Sequence, residues 1–154
     1  MDLKKLIAAI LACELLGALG SFFTMPAIPT WYASLIKPVF NPPNWIFGPV
    51  WTTLFLLMGV SLYLVWVKKN KHKKTALIFF AVQFALNILW SALFFGLKSP
   101  LAGFIEILAL WATILLMILT LRKVSKPAAY LQIPYLVWVS FAAILNLSIL
   151  VLNI

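Results

Sequence analysis

Residues 47–97 read FGPVWTTLFLLMGVSLYLVWVKKNKHKKTALIFFAVQFALNILWSALFFGL, two apolar runs split by a tract, residues 68–74, that holds five lysines and a histidine. A helix needs about 20 mostly apolar residues to cross ~30 Å of hydrocarbon, so each run is long enough to span a bilayer. The pair reads as a transmembrane helical hairpin. Outward from it lie three more runs of similar length, at about 5–24, 101–121 and 128–151. Their breaks are chemically plain: Pro26 and Pro29, then Lys98-Ser99-Pro100, then Arg122 to Pro127. Short connections favour antiparallel neighbours, so the fold expected is all-α: a single polytopic domain over 1–154, a five-helix transmembrane bundle.

Composition agrees. The 154 residues are 65% hydrophobic and 10% charged, with a mean hydropathy of +1.10, whereas a soluble domain carries roughly 25% charged residues. Lipid must cover what polar side chains cannot. The net charge of +9 sets twelve Lys and Arg against Asp2, Glu14 and Glu106. In this setting it encodes topology and not nucleic-acid binding. Lys4, Lys5, the five lysines of the second connection, Arg122, Lys123 and Lys126 fall on one side, against Lys37 and Lys98 on the other. The N-terminus is therefore expected in the cytoplasm, with the first loop and the C-terminus outside. One cysteine, Cys13, and one histidine, His72, exclude an internal disulfide, a Cys-based zinc site, a His-rich metal site and a His-based triad. No metal and no resident cofactor is expected. The first run, with Lys4-Lys5 ahead of it, also has the form of a cleaved signal peptide.

The connection at about 25–46 is unusual. Six of the nine prolines lie between 26 and 49, among Trp31, Tyr32, Phe40 and Trp45. Long loops in compact domains are functional lids or disordered linkers, and linkers lack aromatics. The segment reads as an ordered lid. Thr30 is expected to cap a short helix over Trp31 to Ile36 that Pro38 stops. An aromatic belt at the headgroup level is the competing account of these rings, and the better one for Trp45.

Side chains three or four residues apart share a helix face. That groups Trp51, Phe55 and Met58 on the second span, Gln83, Asn87, Trp90 and Phe94 on the third, and Trp138, Ala142 and Leu145, with Asn146 close by, on the fifth. Amides in hydrocarbon need partners, so Gln83 and Asn87 should face the interior. Ala81 and Ala85 lie on roughly the opposite side, a small-residue stripe suited to a homodimer or to packing within the chain. Glu14 and Glu106 are embedded acids, read either as structural hydrogen-bonding groups or as a proton relay.

The run Trp31-Tyr32-Ala33-Ser34-Leu35-Ile36-Lys37-Pro38, then Asn41-Pro42-Pro43-Asn44-Trp45-Ile46-Phe47-Gly48-Pro49-Val50-Trp51-Thr52, resembles the tryptophan-rich sensory protein family, TspO/MBR, in a bacterial or archaeal-like form. Met58-Gly59, Tyr63 to Trp66, Leu86 to Ser91, Leu93 to Leu97, Glu106 with Trp111, Pro134-Tyr135, Trp138, Phe141-Ala142 and Leu145-Asn146 extend the likeness over nearly the whole chain. Mitochondrial members of the family are called translocator protein or peripheral-type benzodiazepine receptor. The resemblance implies a five-helix membrane protein, often dimeric, that binds porphyrins and benzodiazepine-type or isoquinoline carboxamide ligands in a cavity under its first loop. Carried over position by position, the ligand site is Trp31, Tyr32, Pro42, Trp51, Phe55, Asn87, Trp90, Trp138 and Ala142. Light-dependent porphyrin breakdown is associated with bacterial relatives, and the matching tryptophans here are Trp51 and Trp138. The C-terminal tail Leu145 to Ile154 has neither the Tyr nor the cation of the family's proposed cholesterol motif, so sterol binding by that motif is not expected.

A porphyrin is a wide, flat ring with carboxylate tails. It asks for stacking faces, a water-poor cavity and a polar mouth. Trp51, Trp138, Trp31 and Tyr32 are the candidate faces, Asn87 an orienting group and Lys37 a rim cation for a carboxylate. The expectation is a tetrapyrrole-binding sensor, with photochemical breakdown or transport as its extension. The rival is a small proton-coupled exporter using Glu14, and a third account has the aromatics only packing the bundle.

Overall fold

The computed structural model describes residues 2–154, and among these every regular element is helical. Five helical stretches are long and apolar enough to cross a membrane: Leu3–Tyr32, Asn44–Trp66, Lys73–Gly96, Pro100–Arg122 and Lys126–Leu152. The helices are α1 (Leu3–Ala27), α2 (Asn44–Trp66), α3 (Lys73–Ser91), α4 (Pro100–Arg122), the short α5 (Lys126–Tyr130) and α6 (Ile133–Leu152). This is the expected all-helical membrane bundle.

Sequence chemistry sets most of the boundaries. The Asp2 carboxylate accepts the Lys5 N–H at 3.2 Å and opens α1. That hydrogen bond, more than the nearby Lys5 ammonium, holds the exposed Asp2 carboxyl below its ordinary range. Ser99 accepts the Ala102 N–H at the start of α4, with Pro100 in the first turn where its missing N–H costs nothing. The lysine-rich ends are tied together, as Lys73 Nζ donates to the Trp66 carbonyl at 2.5 Å and Asn70 Nδ2 to the Lys123 carbonyl at 3.0 Å.

Pro26 and Pro29 do not end the first span, contrary to the expected boundary near 24. The α-helix runs through Pro26 to Ala27, and the chain continues as a π turn over Ile28–Tyr32. A proline ring pushes the preceding turn's carbonyl outward, and the wider i to i+5 register absorbs that displacement. Thr30 is accordingly inside a helix and caps nothing. Its hydroxyl donates to the Pro26 carbonyl at 2.9 Å. The non-helical connection shrinks from the expected 25–46 to residues 35–43.

α1 lies against α2 and α3, α3 against α4, and α4 against α6, while α5 braces α2. Ser61 Oγ donates to the Ala128 carbonyl across that last contact. Two close approaches fix α1 on α2. A Cβ on Gly59 would stand 2.5 Å from the Ile10 Cα, and one on Gly17 would stand 2.2 Å from the Phe55 ring. Only hydrogen fits at either place. Met58, Ile107, Leu110, Ile114, Met117, Leu121 and Val139 fill the main core. A second, smaller cluster gathers Tyr32, Phe94, Phe95, Leu145 and Ile149 under the connection between α1 and α2.

Candidate ligand cavity

A cavity of about 490 Å³ sits between α1, α2, α3 and α6, on the side of the main core away from the lysine tract. Each wall follows from a helical stripe. α2 brings Phe47, Trp51 and Phe55, spaced four apart. α3 brings Asn87, Trp90, Ser91 and Phe94. α6 brings Trp138, Phe141, Ala142, Leu145 and Asn146, and α1 brings Gly17, Gly20, Ser21 and Thr24. Tyr32, 3% exposed, closes one end.

The rings are interlocked. Trp51 stacks on Phe55 at 5.4 Å and 25°, and Phe55 on Phe84 at 6.1 Å and 24°. Trp138 meets Phe47 edge-on at 6.0 Å and lies 5.5 Å from Phe141. Trp90 stacks on Phe94 at 5.3 Å and 17°. Offset and edge-on pairs at such distances each add roughly 0.5–1.5 kcal/mol to the burial of the rings. The walls are therefore rigid.

Polar groups along the cavity are paired with the bundle. Asn87 Nδ2 donates to the Tyr135 hydroxyl at 3.0 Å, and Trp90 Nε1 donates to Asn146 Oδ1 at 3.2 Å. Asn146 Nδ2 in turn donates to the Pro100 carbonyl at 2.8 Å. Gln83 is fully buried beneath them, with its amide 4.0 Å from the Met58 sulfur. Both third-span amides thus lie inside the bundle, where hydrocarbon requires them.

Of the ligand-site residues named from sequence, Tyr32, Trp51, Phe55, Asn87, Trp90, Trp138 and Ala142 line this one cavity. Trp31 does not. Its indole packs behind the wall, against Phe94 at 5.4 Å and Phe95 at 6.4 Å. Pro42 lies in the connection outside the lining. Lys37 Nζ donates to the Ala33 and Leu35 carbonyls at 3.3 and 3.0 Å and hangs 4.9 Å over the Tyr32 ring, beside the closed end. Phe47 and Phe141 escaped the sequence reading as site residues, although each sits one helical turn from Trp51 or Trp138 and that spacing could have found them.

The cavity is not sealed from the side. Its exposed lining residues are Ala18 and Met25 of α1 and Asn44, Gly48 and Thr52 of α2, so the opening runs along the α1–α2 seam. In a bilayer that seam faces acyl chains.

A five-span helical membrane protein with an aromatic cavity between four of its helices is the class that fold and site define. The TspO/MBR family model matches residues 9–152, and the chain belongs to that family. It is 46% identical over 153 residues to the tryptophan-rich protein TspO of Archaeoglobus fulgidus, covering 99% of each chain. To the protein of the same name from Chlorobaculum tepidum it is 49% identical over 145 residues, 92% of this chain and 90% of that one. The translocator protein of Ovis aries is 40% identical over 133 residues, 84% of this chain and 79% of the other.

Proposed function

We propose that the protein is a membrane tetrapyrrole-binding sensor that holds a porphyrin-type ring in the α1–α2–α3–α6 cavity. The observation that carries this reading is the meeting of Trp51, Trp138, Trp90 and Tyr32, from four separate elements, on one hollow. Flat π systems bind by stacking on such faces, and about 490 Å³ lies within the roughly 300–1,000 Å³ of ordinary ligand pockets. Asn87 orients the ring from α3. Lys37, beside the Tyr32 end, is the cation for a ligand carboxylate. Isoquinoline carboxamide and benzodiazepine-type molecules, also flat and apolar, suit the same walls.

Trp51 and Trp138 would also serve photochemistry. An illuminated porphyrin against an indole takes one electron and the N–H proton from it, leaving a neutral indolyl radical and a singly reduced, protonated porphyrin radical. Dioxygen adds to a ring carbon of that radical to form a peroxyl radical, the new C–O bond that ends the intact macrocycle. Ten of the twelve cations flank one side of the bundle, which favours that side in the cytoplasm.

The test is a titration of protoporphyrin into detergent-solubilised protein, followed by illumination. Saturable quenching of Trp fluorescence is expected, and replacing Trp51 and Trp138 together by Phe should slow light-driven loss of the bound porphyrin. Unchanged photolysis in that double variant removes both indoles from the mechanism. A linear, unsaturable quench removes the binding reading itself. In sealed vesicles no proton-driven porphyrin uptake is expected, and uptake abolished by Glu14→Gln would favour an exporter.

A further inference from the structure

Glu14 lies well inside the first span, on the same face of α1 as Ala18, Ser21 and Met25, and the four line the cavity along its open seam. No Lys or Arg is on that lining, and Glu14 is its one acidic side chain. Among the described residues, no hydrogen bond or ion pair is made to its carboxyl. Charged and titratable groups near it are few. Cys13 is its buried neighbour on α1, while α2, α3 and α6 present Trp51, Thr52, Phe55, Asn87, Ser91 and Trp138 to the cavity. Lys37 stands beyond Tyr32, eighteen residues along from Glu14, or about 27 Å of helix.

A carboxyl at apolar depth without a partner is costly, and an opposite charge or N–H donor beside it is worth several times its value in water. A ligand carboxylate would find no cation there. The lining thus carries its one acid at the inner, membrane-facing end, while the nearest cation, Lys37, stands outside the opposite end beyond Tyr32. We propose that the Glu14 end of the cavity is a subsite for flat hydrophobic amines, which reach it from the bilayer through the α1–α2 seam and pair their protonated nitrogen with the Glu14 carboxyl. The aromatic body of such an amine lies beside Trp51, which lines the same cavity one helical turn from Phe55. This inference rests on the cavity being a ligand site, as the porphyrin reading also requires, but it takes a ligand of opposite charge.

Two tricyclic probes of similar shape separate the possibilities: proflavine, protonated at mildly alkaline pH, and acridine, neutral there. Both are titrated into wild-type protein in a non-ionic detergent against Trp fluorescence, with empty micelles subtracted. Wild type should bind proflavine at least about tenfold more tightly than acridine. In Glu14→Gln that preference should fall to within about twofold, and in Glu14→Asp, which keeps the acid, most of it should remain. Equal affinities on wild type, a measurement that needs no variant, overturn the amine subsite and leave the porphyrin reading standing. A preference that survives Glu14→Gln overturns it as well. Failure of both probes to quench wild type removes the cavity as a site for flat ligands, and both readings fall together.

Discussion

Asn153, at the C-terminal end of α6, grips Ile36 by both of its backbone groups: Oδ1 accepts the Ile36 N–H at 2.9 Å and Nδ2 donates to the Ile36 carbonyl at 2.8 Å. The same amide donates to the Ile149 carbonyl at 2.8 Å, so its own rotamer is fixed. Residues 117 positions apart are thereby joined, and the connection between α1 and α2 is pinned over the end of the cavity. A second pin, the Tyr32 hydroxyl donating to Asn41 Oδ1 at 2.8 Å, acts from beneath.

Cutting the first pin should loosen the cover without unfolding the bundle. At about 1 kcal/mol for each of two hydrogen bonds, Asn153→Ala is expected to raise amide exchange across residues 33–43 roughly tenfold or more. Hydrogen-deuterium exchange with peptide readout measures it. Porphyrin dissociation should quicken in parallel.

The glycines make predictions of different size. On Gly59 a Cβ meets the Ile10 backbone at 2.5 Å, whereas on Gly48 no other helix comes within 4 Å. Gly59→Ala must part α1 from α2, at a cost of about 1–3 kcal/mol. Gly48→Ala, inside α2, meets no such wall, but its Cβ stands next to the Pro49 ring, which disfavours a helical non-glycine residue before it, so the change in stability should stay within about 0.5 kcal/mol. Thermal unfolding in one detergent compares the two.

The Asn87–Tyr135 pair is buried at both partners, 5% and 1% exposed. Removing one partner leaves the other unsatisfied, at about 1–3 kcal/mol. Asn87→Leu and Tyr135→Phe should each destabilise the protein by that order. The double variant should cost less than their sum, which a double-mutant cycle reads directly.

Ala81 and Ala85 are both exposed on α3, opposite buried Gln83 and Asn87. Small residues four apart allow two helices to approach closely in lipid. If α3 is a dimer face, cysteines placed at 81 and 85 should cross-link between protomers. Cross-linking at other α3 positions but not at these would contradict that face.

The five spans were legible because hydrocarbon demands long apolar runs, and the inward stripes because amides cannot face lipid. Asn87, Trp90, Trp51 and Trp138 all lie where periodicity alone places them. Where the first span stops was not legible. Pro26 and Pro29 usually mark helix ends, and only packing against Phe94 and Phe95 shows why the chain continues in a wider register through Tyr32. The place of Trp31, packed against Phe94 and Phe95 and off the lining, was not legible either, since it depends on the same contacts. The lateral opening was hidden too, because seam residues such as Gly48 and Thr52 carry no compositional mark. Neither did Asn153 announce itself, as its partner is a backbone group far away in sequence.

Occupancy tests the central claim most directly: a crystal structure of the protein grown with protoporphyrin. The account predicts planar density in the cavity, in contact with Trp51 and Trp138, with a propionate toward Lys37. A porphyrin bound elsewhere on the bundle, with the cavity holding only lipid or detergent, would contradict it.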